Sequence, residues 1–191
     1  MGSSVVNLRT CYWFKSGSRW LNSKPHNLIH YGYLAEAPPN SVTEGLLWFV
    51  RADFPLSTGP VRQDTDVNLI WSPPSGGFAT NALTVTPSGN WAAWSLYMPL
   101  LAAQRFRLSC TDHDQFVPMD SAFSLTWKNV AGLYSILYTS SDKNWTHFLQ
   151  FQIGSEVAYM VANEFAHPDC NKALVEFDTD LAKATTAPPS P

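Results

Sequence analysis

Apolar and polar positions alternate along much of this chain with the period of a β-strand. Phe123, Leu125 and Trp127 interleave with Ser124, Thr126 and Lys128, and Phe106, Leu108 and Cys110 interleave with Arg105, Arg107 and Ser109. A period of two places apolar side chains on one face of a sheet and polar ones on the other. Together with the turn residues, the pattern predicts strands near 5–14, 28–34, 45–51, 66–71, 78–86, 91–98, 105–110, 122–128, 133–139, 145–153, 156–162 and 172–178. The last is ambiguous, because 172–184 reads equally as a short terminal helix. Leu46-Leu47-Trp48-Phe49-Val50 is continuously apolar, which suits a strand covered on both faces or one at a subunit contact.

Turn chemistry supports an antiparallel meander. Gly154-Ser155 separates Phe148–Ile153 from Glu156–Val161 as a two-residue loop with Gly first, which favours a type II′ hairpin. Thr86-Pro87-Ser88-Gly89-Asn90 and Thr139–Asn144 are further polar loops between apolar strands. Longer connections are expected over Ser16–His26, Ala35–Thr43, Asp53–Gln63 and Ser72–Gly77, the last rich in Pro and Gly. Pro99 suits the first position of one helical turn ending at Gln104. The expected fold is all-β, an antiparallel β-sandwich or jelly-roll-like single domain with at most short helical turns. No internal repeat is legible.

Composition narrows the picture. With 191 residues, 45% of them hydrophobic, one domain buries a sufficient core without metals or disulfides. Residues 1–4 read as a leader or linker, 5–182 as the domain and 183–191 as a Thr/Pro-rich tail of the kind that joins domains. The net charge of −3, with no run of Lys and Arg, offers no track for a phosphate backbone, so no nucleic-acid partner is expected. The longest apolar stretches are too short to span a bilayer, so no membrane insertion is expected either. The three cysteines, Cys11, Cys110 and Cys170, are odd in number and widely separated. They read as reduced and mostly buried, with a single bridge left open.

Candidate chemistry is sparse. Asp64-Thr65-Asp66, Asp112-His113-Asp114 and Asp178-Thr179-Asp180 each place two carboxylates one residue apart. On extended backbone both members point the same way and can approach one hard cation, so they are candidate Ca²⁺ ligands. Loop-tip carboxylates capping turn amides are the favoured explanation of the pattern. None of the five histidines makes zinc-enzyme spacing, and GxSxG, GxGxxG and GxxxxGK[ST] are absent, so an enzyme is not expected. His167-Pro168-Asp169-Cys170 reads as a loop, and Asn144-Trp145-Thr146 is a glycosylation acceptor pattern. Eight tryptophans exceed what a minimal core demands. Trp20, Trp71, Trp91 and Trp145 lie beside turn residues; core or edge packing is the simpler fate of each taken singly, and together they are candidate rim aromatics for a binding surface.

A mildly acidic, Trp- and Pro-rich β-domain with a Thr/Pro tail, carrying Leu46–Val50 and Ser75-Gly76-Gly77-Phe78, resembles the protruding domain of small icosahedral RNA-virus capsid proteins of the nodavirus, tetravirus and sinaivirus type. The resemblance implies a non-enzymatic domain on the virion surface. Its partners would be other copies of the chain, as dimer or trimer, and a host-cell receptor or glycan. It also implies Ca²⁺ at subunit contacts as a role for the acid pairs. The alternatives are a carbohydrate-binding, lectin-like β-sandwich of a larger secreted protein and, third, a hydrolase with an unidentified carboxylate pair.

Overall fold

The computed structural model describes residues 5–40, 45–73, 81–86, 89–96, 104–110, 115–119, 121–129, 132–139, 146–153, 157–164 and 169–186. Among them are twelve strands and one helix: β1 (Tyr12–Ser16), β2 (Arg19–His26), β3 (Ile29–Ala35), β4 (Leu46–Arg51), β5 (Val67–Ser72), β6 (Asn81–Val85), β7 (Ala92–Leu96), β8 (Arg107–Cys110), β9 (Phe123–Asn129), β10 (Gly132–Tyr138), β11 (Leu149–Gln152), β12 (Val161–Glu164) and α1 (Asp169–Thr186). The domain is all-β as expected. An eight-stranded antiparallel sheet, ordered β12-β1-β2-β3-β7-β6-β5-β4, shares a core with a four-stranded one, ordered β11-β10-β9-β8. No described helix is long and apolar enough to cross a membrane.

The connectivity adds a feature that neither a sandwich nor a jelly roll specifies. β4 pairs with β5, β8 with β9 and β12 with β1. Three isolated bridges join the remaining neighbours: Cys11↔Trp48 between β1 and β4, Val67↔Phe106 between β5 and β8, and Phe123↔Met160 between β9 and β12. The last two are reciprocal, with N···O distances of 2.7 and 2.9 Å and of 2.8 and 2.7 Å. These contacts close β1, β4, β5, β8, β9 and β12 into a ring, and closure satisfies backbone groups that an open edge would leave unpaired. The other six strands form three hairpins, β2–β3, β6–β7 and β10–β11. They meet through His30↔Trp94, Tyr33↔Phe148 and Trp91↔Gln150, and so cap one end of the ring. Cys11, Val67 and Phe123 recur at equal intervals along the chain. The fold is therefore three four-strand units, a β-trefoil connectivity, although the sequence shows no repeat.

Several local expectations are corrected. Arg19–His26 is a strand, not a loop: Gly17 (φ 60°) turns the chain back, and Asn27 and Leu28 (φ 49° and 69°) turn it again as a type I′ hairpin. Past Trp20 the strand has no β1 partner, so Pro25 sits on an edge segment, where Pro is tolerated. β12 does not form a hairpin with β11. It leaves the cap to pair with β1, and the Gly154-Ser155 loop lies outside the described residues, as does the turn at Pro99. Residues 172–184 belong to the helix.

The main core fills the ring and the underside of the cap, with Phe14, Phe49, Leu69, Leu83, Phe106, Leu108, Phe123 and Phe151 all fully buried. β4 is covered on both faces, as its unbroken apolar run predicts. Leu47 and Phe49 enter the ring core, while Leu46, Trp48 and Val50 form a second cluster with Ala173, Leu174 and Phe177 of α1. The Phe177 ring meets Trp48 edge-on at 6.1 Å. A Cys11–Cys170 disulfide ties the first turn of α1 to the start of β1, across a sequence separation of 159. The expectation of reduced cysteines is therefore corrected: the helix doubles back across the first strand and brings the two distant thiols together. Cys110 remains a half-buried thiol.

Candidate functional site

The outer face of the hairpin cap is built by strand alternation. On β3, Leu34 points into the core while Tyr31 and Tyr33 point out. Their neighbours across β3–β7 and β3–β11 are Ala93 and Phe148, and Trp91 packs against the same cluster. Backbone bonds lock the three hairpins at this point, Leu34 N–H to His147 O at 2.9 Å and Phe151 N–H to Asn90 O at 2.7 Å, while Thr139 N–H to Phe148 O at 3.1 Å extends the β10–β11 ladder.

The rings interlock at favourable edge-on geometry. Phe148 lies 5.1 Å from Tyr33 and 6.1 Å from Tyr31, and His26 lies 6.3 Å from Tyr31. His147 stacks on Tyr138 at 5.5 Å and shares a hydrogen bond with its hydroxyl. Lys24 Nζ stands 4.5 Å over the Tyr33 ring, a cation–π contact. The same sheet face continues across β2 onto β1, where Trp20 meets Trp13 at 6.0 Å and Lys15 Nζ stands 5.2 Å over Trp20. Tyr31 and Phe148 are buried, while Trp13, Trp20, Tyr33 and Trp91 are half-buried and Lys24 and His26 are exposed. The arrangement is a rigid aromatic face edged by cations. It can stack on a flat apolar surface and offers ammonium donors beside it.

Burial holds the His147 imidazole below its usual range; Arg19 and Lys24 push the same way, and Glu36 opposes them. His147 is therefore neutral at pH 7, and the cationic character of the face comes from its lysines and Arg19.

Trp20 stands on this face and Trp91 at its edge, but in strand-paired positions rather than on loop tips. Trp71 is corrected to a core residue. It is buried on the opposite face of the sheet, 6.2 Å from Trp94 and 4.9 Å from His30. Trp145 lies outside the described residues, as do Asp112 and Asp114. Sequence reading missed Tyr31, Tyr33, Tyr138, His147 and Phe148. The signal was present in Tyr31-Gly32-Tyr33, two aromatics sharing one face of a predicted strand.

The acid pairs do not converge. Asp64 accepts from Arg62 at 3.1 Å, and that hydrogen bond holds its carboxyl below the usual range. Asp66 accepts instead from Arg107 Nε at 3.0 Å. Asp178 takes a bidentate pair from Arg9 at 2.9 and 2.7 Å. Asp178 and Asp180 lie on α1, where positions two apart do not share a side, so the extended-backbone geometry expected of them is corrected. Among the described residues no group of three or more His, Cys, Asp or Glu is placed to hold a metal ion.

No family model matches the chain, and no curated protein matches it. Among solved structures, the chain is similar to a Caenorhabditis elegans protein described as having unknown function. The TM-score is 0.55 at 8% identity, covering 84% of this chain and 96% of that one. A likeness at this identity concerns the fold.

Proposed function

We propose that this chain is a non-enzymatic recognition domain that binds carbohydrate through the aromatic face of its hairpin cap. The observation that carries the reading is the set of half-buried rings on one sheet face, Tyr33 and Trp91 packed on buried Tyr31 and Phe148 and Trp13 packed against Trp20, bordered by Lys15 and Lys24. Pre-ordered rings lose little conformational freedom on binding, and their apolar faces suit the flat face of a sugar ring. Of the described acid-pair members, Asp64, Asp66 and Asp178 are each engaged by an arginine while Asp180 is not, and the pairs do not converge on one another, which supports a binding role over a carboxylate-pair hydrolase.

Two settings suit such a domain. The resemblance to capsid protruding domains supports an attachment role on a virion surface, with other copies of the chain and a host receptor or glycan as partners. The Cys11–Cys170 disulfide favours the second setting, a lectin-like module of a secreted or cell-surface protein, because disulfides persist in oxidising compartments. A glycan array probed with the oxidised chain tests the shared reading. Binding to a defined glycan set is expected, weakened about tenfold by Trp20→Ala or Tyr33→Ala. Signal no higher than background, or binding indifferent to both substitutions, overturns it. Light scattering separates the settings: concentration-dependent dimers or trimers support the capsid one, a persistent monomer the lectin-like one.

A further inference from the structure

The end of the ring away from the cap holds a pocket of about 230 Å³. The topology puts it there, since it is lined by Arg51 at the end of β4, by Arg62 and Thr65 from the β4–β5 connection, and by Phe116 from the β8–β9 connection. Its walls divide chemically. Leu8, Val61 and Val67 are buried apolar groups, whereas Ser57, Thr58 and Thr65 contribute hydroxyls.

Each guanidinium pairs with the aspartate two residues on, Arg62 through two hydrogen bonds and Arg51 through one. Arg51 directs Nε and Nη2 at Asp53, and Arg62 directs Nε and Nη2 at Asp64. In each pair the aspartate faces one edge of the guanidinium and leaves Nη1 uncommitted. Arg51 Nε, although 2.7 Å from Asp53 Oδ1, is buried without an aligned acceptor. Arg62 is further fixed over the Phe116 ring at 5.8 Å. Two guanidiniums lining a pocket with an apolar wall suit the charge and lone pairs of a carboxylate attached to an apolar body.

We propose that this pocket binds small organic carboxylates, with Arg51 and Arg62 on the carboxylate and Phe116 and Val61 against the apolar part. The site is independent of the cap and of the carbohydrate reading. The pocket is small for a drug-sized ligand, and Asp53 and Asp64 compete for the same cations. Affinity is therefore weak, and a method that reads weak binding is needed.

The test is an amide NMR titration of the whole oxidised chain with benzoate, and separately with benzamide, which has the same shape without the charge. Benzoate is expected to give saturable shifts clustered at Leu8, Thr58, Val61 and Phe116, with benzamide giving none there. Arg62→Gln and Arg51→Gln are each expected to weaken binding about tenfold while the cap resonances stay in place. Absence of saturable benzoate shifts in the unsubstituted chain overturns the proposal whatever the variants do. So do equal shifts from benzamide.

Discussion

Leu28 sits at a hairpin tip with φ 69° and its side chain fully in water. A branched residue in the left-handed region costs about 1–2 kcal/mol, and here no burial offsets it. Leu28→Gly is expected to stabilise the domain by about 1 kcal/mol, raising its melting temperature by about 2–4 °C in calorimetry. Gly45 is the opposite case. Its φ of 97° and the approach of the Ser72 carbonyl and the Trp71 ring leave no space for a Cβ. His147 makes the cap sensitive to acid. Its folded-state value lies below the unfolded one, so the unfolded chain takes up the proton first and folding weakens as the solution is acidified. Stability is expected to be unaffected by His147 above about pH 6.5 and to fall below it. The fall should be shallower in His147→Gln, read as melting temperature against pH. Alternation in the sequence reveals which residues leave the core, as with Tyr31 and Tyr33. It is silent on which of them meet across hairpins, so the pairing of Tyr33 with Phe148 had no local signal.

At the scale of elements, β4 was legible because its apolar run has no polar side to give to water, and α1 supplies the second cover. β2 was not legible. Asn22, Ser23, Lys24 and Pro25 resemble a loop, yet they form a ladder because β3 offers a full-length partner. The helix itself was ambiguous, since Ala173, Leu174 and Phe177 suit either a strand or a helical stripe over so short a span. That stripe holds α1 to the ring, together with the Arg9–Asp178 pair and the disulfide. Phe177→Ala is expected to cost about 3–4 kcal/mol, measured by denaturant unfolding. Cys170→Ser is expected to cost about 2–4 kcal/mol. It should also shift tryptophan emission to the red if α1 lifts away from Trp48. Unchanged emission would mean that the apolar contacts hold the helix unaided.

For the whole molecule, three units share positions without sharing residue types. Cys11, Val67 and Phe123 occupy equivalent places, as do Trp48, Phe106 and Met160. A bridge position asks only for a backbone that can pair and a side chain that fits its neighbours, so symmetry of structure leaves no symmetry of letters. Each unit contributes two strands to the ring and borrows its partners from the others. A fragment carrying residues 5–110 keeps unpaired edges and an open core, and is expected to lack a folded amide NMR spectrum.

The Cys11–Cys170 link also governs what becomes of the chain when a protease cuts it. Any single cleavage between those two positions leaves both pieces joined by a covalent thread, so the severed molecule keeps its mass until a reductant is added. The exposed hairpin tip at Leu28 is thus a place where the backbone can be broken without the parts drifting away.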